Sequence, residues 1–184
     1  MLASMTQERS DPAAAGDGSR FAHDEVDRLV EAWQRERPDL DVSPLEVLSR
    51  VSRLARHLDR ARAAAFSQHD LESWEFDVLA ALRRAGEPYE LSPGQLLTRT
   101  LVTSGTMTNR IDRLETRDLV TRRPDPADRR GVVVSLTVDG RAHVDAALAD
   151  LLTHERAILS GLRKADVMRL ADLLRSVTLR FEET

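Results

Sequence analysis

The chain has 184 residues, the length of one domain with an added dimerisation element, and its 41% hydrophobic and 32% charged residues suit a globular protein with a buried core. It has no cysteine, which excludes disulfides, thiolate metal sites and a thiol redox switch. The formal net charge of −4 excludes a chain that takes up nucleic acid through bulk charge, and no apolar run reaches the roughly 18 residues of a membrane span.

In chain order, residues 1–20 (MLASMTQERSDPAAAGDGSR) lack apolar periodicity and are expected to form a disordered tail. They show no charged-then-apolar leader, so the expected compartment is the cytoplasm. A first helix is expected over residues 21–38, with Val26, Leu29, Val30 and Trp33 on one stripe and Pro38 as its stop. Ser43 to Glu46 (SPLE) reads as a capping box opening a long helix, whose apolar face carries Val47, Val51, Leu54, Leu58, Ala61 and Ala65. A shorter helix spans about residues 71–85 and ends at Gly86.

Ser92 to Gln95 (SPGQ) is a second capping box, opening a short helix to about Thr100. Thr103 then caps a helix reaching Arg117, and two short helices so joined form a helix-turn-helix. Residues 119–123 and 131–137 read as strands joined by the turn PDPAD, placed as a wing would be. Thr137 caps a helix to about Leu159, and a last helix covers residues 165–181. Their faces (Val144, Ala147, Leu148, Leu151, Ile158; Val167, Leu170, Ala171, Leu174, Val177) exceed what a small winged helix can cover. A second copy of the chain is the economical cover. The expected fold is therefore mainly α with a small β-hairpin wing: a winged helix-turn-helix in a helical homodimer, with an extra N-terminal helix. Residues 71–137 form the DNA-binding lobe, and residues 43–70 and 138–184 the dimerisation helices.

Residues 99–130 hold eight arginines against five acids, a local basic excess at this motif. On the helix after Thr103, Met107, Ile111 and Leu114 face the core. Ser104, Thr106, Thr108, Asn109 and Arg113 are left as donors and acceptors for base edges and phosphates in the major groove. Arg129 and Arg130 at the wing tip suit a narrow minor groove, with Asp128 able to hold a neighbouring arginine in place. Arg110 lies on the inner flank and needs a partner, for which Asp77 is the natural counter-ion.

The segment SGTMTNRIDRLETRDLVTRRPDPADRRGVVVSLT resembles the DNA-binding core of the MarR family of bacterial transcription regulators. Its wing pattern of Asp128, Arg130, Leu136 and Thr137 and the order of helices over about residues 43–182 carry the resemblance. The resemblance implies an obligate homodimer that binds a palindromic operator in double-stranded DNA and represses until a small anion or phenol releases it. The extra helix with Trp33, together with Asp77, Arg84 and Arg110, is similar to the urate-responsive subgroup. By that likeness Trp33 and Arg110 hold the ligand, Asp77 is displaced by its charge, Arg84 supports it, and Arg122 couples pocket to DNA. A neighbouring subgroup answers to trans-aconitate-like carboxylates, and the residues do not separate the two.

No phosphate loop, nucleophile elbow or supported carboxylate pair is present, so no enzyme is expected. His23, His57, His69, His143 and His154 show no metal-site spacing, and neither a metal nor a cofactor is expected. His57, His143 and His154 fall on the expected dimer helices, where a protonation-sensitive interface is open. A ligand-independent DNA-binding or architectural protein, and a helical adaptor, stand as the other readings.

Overall fold

The computed structural model describes residues 23–100, 103–126 and 131–182. The expected tail at residues 1–20 and the wing-tip residues Asp128, Arg129 and Arg130 lie outside them. The described elements are α1 (Glu25–Glu36), α2 (Ser43–Ser67), α3 (Ser73–Arg84), β1 (Glu90–Leu91), α4 (Pro93–Thr100) and α5 (Ser104–Thr116). They continue with β2 (Val120–Pro124), β3 (Val132–Leu136), α6 (Val138–Leu159), α7 (Lys164–Thr178) and a 3-10 turn, Leu179–Phe181. The chain divides into two compact units, residues 1–54 and residues 55–184, with α2 crossing the boundary.

In the first unit Asp24 caps α1, accepting from the Val26 and Asp27 amides at 2.7 and 3.0 Å. The α1 stripe buries Val26 and Val30 with Val42, while Trp33 at its end stays 49% exposed. Arg50 donates to Asp24 at 2.9 Å and Asp27 at 2.6 Å, pinning α1 to the start of α2. The Arg50 hydrogen bond, aided by backbone donors, holds the Asp24 carboxyl down to about 2, so the cap stays ionised at neutral pH.

The second unit holds one core, in which α3 is almost wholly enclosed: Phe76, Val78, Leu79, Ala80, Ala81 and Leu82 are buried. Phe66 of α2 stacks on Phe76 with ring centroids 4.1 Å apart. Met107, Ile111 and Leu114 of α5 enter the same core, as their spacing predicts. The SPGQ capping box forms at α4, with Ser92 N–H donating to Gln95 and Gln95 N–H to Ser92 Oγ. SPLE behaves otherwise: Ser43 is already helical, and its amide donates to Asp41 at 3.0 Å. The aspartate two residues upstream takes the capping role expected of the serine.

The wing hairpin pairs Val120 with Leu136 and Pro124 with Val132. A third strand, absent from the sequence reading, joins it: β1 pairs Glu90 with Ser135, giving the order β1-β3-β2. Two residues are too short for an alternating signal.

Helix α6 starts where it docks on the turn between α5 and β2. Thr137 Oγ1 accepts from Gly140 N–H at 2.9 Å and donates to the Asp118 carbonyl at 2.7 Å. A Cβ at Gly140 would lie 1.9 Å from the Leu119 carbonyl oxygen, so only glycine fits. Gly140→Ala is expected to cost about 1–3 kcal/mol by overpacking against backbone that cannot step aside. A lowered urea midpoint at unchanged slope would register this. Further along α6, Val144, Ala147 and Leu151 are buried within their own chain, so part of the face assigned to a second copy is covered by the lobe itself. Leu148, Leu152, Ile158 and Leu159 remain exposed, and α7 buries no residue at all.

Candidate nucleic-acid and ligand sites

The surface of α5 is built by the core face opposite it. With Met107, Ile111 and Leu114 buried, Ser104, Thr106, Thr108, Asn109 and Arg113 are all exposed. Thr103 caps without a side-chain bond to the helix amides; its hydroxyl lies 2.9 Å from Thr106 Oγ1 instead. Thr108 Oγ1 donates back to the Ser104 carbonyl at 3.3 Å. The first two turns of α5 thus carry a row of hydroxyls and an amide, with backbone N–H groups at the helix start, suited to phosphate oxygens and base edges.

Three arginines, two on α5 and one at its C-cap, each about one turn from the next, face α3 and the turn before it. Arg110, half-buried, places its guanidinium carbon 5.4 Å from the Trp74 ring centroid, and Arg113 lies over the same ring at 4.7 Å. Arg113 Nη2 also donates to Glu72 Oε1 at 2.6 Å, while the Trp74 indole donates to Glu72 Oε2 at 2.6 Å. The indole, then Arg113, hold the Glu72 carboxyl below the usual carboxylate range. Arg117, at the C-cap, donates to Glu75 Oε2 at 2.7 Å and to the Asp70 carboxylate and carbonyl at 2.8 and 2.6 Å. Glu75 is 1% exposed and is the buried charge of the lobe among the described residues.

The expected Asp77–Arg110 ion pair does not form: Asp77 is exposed and makes no ion pair among the described residues, and Trp74, three residues earlier on α3, takes the Arg110 cation. An aromatic face costs a half-buried guanidinium less desolvation than a carboxylate reached across the helix flank. Glu72, Trp74, Glu75 and Arg117 were all missed as functional residues. The spacing of Arg110, Arg113 and Arg117 is visible in the sequence, but which acids meet them some 40 residues away is not.

At the wing, Arg122 turns inward, half-buried, onto Asp112, with Glu115 at 3.5 Å. It ties the hairpin to α5 rather than presenting itself to solvent. Arg123 donates to Glu90 at 2.5 Å, and Ser135 Oγ to the same carboxylate at 2.7 Å, so Ser135 and then Arg123 keep Glu90 below its ordinary range.

Of the expected ligand residues, Arg84 lines a cleft of about 270 Å³ between α2, α3 and α6. Its walls are apolar (Phe76, Ala80, Val144, Leu151), with Arg62, Arg84 and Glu155 at the edge. Arg83, also there, is spent on Asp145 at 2.8 Å, whereas Arg62 and Arg84 make no ion pair among the described residues. Asp77 shares the Arg84 flank of α3 by helical spacing. Trp33 belongs to the other unit. Among the described residues, no group of three or more His, Asp or Glu could hold a metal ion, and no helix is long and apolar enough to cross a membrane.

Two capped helices with an exposed polar second helix, followed directly by a hairpin, define a winged helix-turn-helix of the DNA-binding kind. The family comparisons agree with that class. Residues 69–131 match the model of the MarR family. The HTH-type transcriptional regulator PecS of Dickeya dadantii is 40% identical over 82% of this chain and 90% of its own. Among solved structures, a mutant MarR from Escherichia coli complexed with operator DNA is 28% identical with a TM-score of 0.61, covering 75% of this chain and 99% of that one. Bordetella bronchiseptica BpsR, solved to explain regulation of its DNA binding by 6-hydroxynicotinic acid, is 32% identical with a TM-score of 0.55, covering 70% and 98%. The chain belongs to the MarR family of DNA-binding transcription regulators, and its relatives are regulators rather than enzymes.

Proposed function

We propose that the chain is a homodimeric repressor that binds a palindromic operator and is released by urate or a similar purine anion. The cleft beside α3 carries this reading: apolar walls for a planar ring, and two guanidiniums, Arg62 and Arg84, that make no ion pair among the described residues. Urate and 6-hydroxynicotinic acid, to which BpsR owes its regulation, share that chemistry: planar, anionic and rich in hydrogen-bonding edges. Asp77 repels the incoming charge, and Arg110, linked to α3 through Trp74, passes the disturbance to α5. Trp33 enters this reading through the resemblance to the urate-responsive subgroup alone. Exposed Ser104, Thr106, Thr108, Asn109 and Arg113 read the major groove, Arg129 and Arg130 the minor groove, and Arg122 braces the wing against α5. Residues 71–137 serve as the DNA lobe, and the bare apolar face of α7 supports the second copy as its cover.

The test is binding to the DNA upstream of the chain's own gene at physiological salt, titrated separately with urate and trans-aconitate. Release by urate and not by trans-aconitate is expected. In Arg84→Gln the urate midpoint should rise about 10-fold or more, the worth of one charged hydrogen bond. Operator binding indifferent to both anions would overturn the ligand and leave the regulator.

A further inference from the structure

The triangle of Glu72, Trp74 and Arg113 has no part in the ligand cleft. Both oxygens of one carboxylate are taken by different donors, the Arg113 guanidinium and the Trp74 indole, each at 2.6 Å. The guanidinium then lies 4.7 Å above the ring whose N–H is engaged by the same carboxylate. Each of the three groups fixes the other two. An isolated exposed ion pair would leave Arg113 swinging through many rotamers, since such pairs contribute little. Here stacking and a shared acceptor narrow that freedom. Arg110 on the same ring adds a second attachment one turn earlier.

We propose that Glu72 and Trp74 are positioning residues that withhold Arg113 from indiscriminate phosphate contact and so set the protein's preference for operator over bulk DNA. The proposal rests on the reading of α5 as the DNA-reading helix. Non-specific binding is a sum of phosphate neutralisations, each adding about 0.9 to the salt slope. A guanidinium already satisfied by Glu72 gains less from a phosphate than a bare one. The carboxylate also lies well within one Debye length, about 8 Å, of any phosphate that Arg113 approaches, and repels it. An arginine held in one direction suits one base or phosphate at one register, where correct alignment repays the partial loss of Glu72. It serves random DNA poorly. Trp74 keeps the guanidinium flat and aimed whether or not the carboxylate is engaged.

The experiment measures affinity against salt for the full chain, on a duplex that it protects upstream of its own gene and on a scrambled duplex of equal length. Wild type, Glu72→Gln, Arg113→Gln and the double variant are compared, with Glu72→Asp as a second probe that keeps the charge but draws it back. Glu72→Gln is expected to tighten scrambled-duplex binding, steepen its salt slope by about 0.9 per Arg113 released and reduce discrimination roughly threefold or more. Glu72→Asp should move the same way, and the gain should vanish when Arg113 is also replaced. Slopes and discrimination unchanged in Glu72→Gln and Glu72→Asp, or a gain that persists without Arg113, would overturn the proposal while the wild type still selects its operator. Failure of the wild type to select the operator would sink the DNA-reading assignment of α5, and this inference with it.

Discussion

Arg117→Met is expected to destabilise the lobe by about 3 kcal/mol, the size of effect found when one member of a buried ion pair is removed. Glu75 is 1% exposed, and its Oε2 accepts from Arg117 and from the Glu72 amide at 2.7 and 2.9 Å. Its Oε1 has no hydrogen-bond partner among the described residues. The carboxylate therefore depends on one guanidinium for its charge balance. Methionine fills the arginine's stem volume but leaves the charge stranded in the core. The Arg117 side chain is 31% exposed, so water can relieve part of the penalty, which places the effect at the low end of its class. Adding Glu75→Gln should recover much of the loss, because the stranded charge is what costs. Urea unfolding of the two single variants and the double decides it. A loss below about 1 kcal/mol, or no recovery in the double, would refute the buried-charge account.

That pair completes the anchoring of the C-terminal half of α5 along its inner flank. Arg117 reaches the turn at Asp70, a non-glycine residue at φ 53 that ends the run from α2, and α3 begins three residues later. Arg110 and Arg113 hold the start of α3 through Trp74. Movement of α3 relative to α6 at the cleft would therefore be felt along the C-terminal half of α5, through side chains rather than through shared backbone.

Local chemistry was legible where a short window contains the whole cause. The Thr137 start and the SPGQ box depend on contacts within three residues, and the α5 core face and the hairpin on periodic patterns that a short window contains. The misreadings share a different cause. Strand β1 is defined by its partner, Ser135, 45 residues away, and its two residues carry no period. Val144, Ala147 and Leu151 look the same in sequence whether their cover is α3 or a second chain. Arg110 was matched with an acid by charge, whereas the fold offers it an aromatic ring. Among the proposed site residues, the polar face of α5 could be read directly because its opposite face is plainly apolar. The cleft could not, since its lining comes from three helices spread over residues 62–155.

Converting Leu170 and Leu174 of α7 to Glu should abolish the proposed dimer and weaken operator binding by about 100-fold or more. The two leucines are one turn apart on a helix with no buried residue, 37% and 39% exposed, alongside Leu173, Val177 and Phe181. Such a contiguous apolar face is rarely left to water, and among the described residues nothing buries α7. A second copy with the same face resolves this symmetrically, and two like-charged carboxylates per chain at that contact would oppose it strongly. Two half-sites bound by one rigid dimer gain about 10²–10⁴-fold over either alone, and a monomer forfeits that gain. The lobe should unfold at the same urea concentration, because α7 contributes nothing to its core. Sedimentation together with operator binding gives the answer. A chain that remains dimeric places the interface elsewhere, and a monomer with undiminished operator affinity removes the palindromic-operator reading.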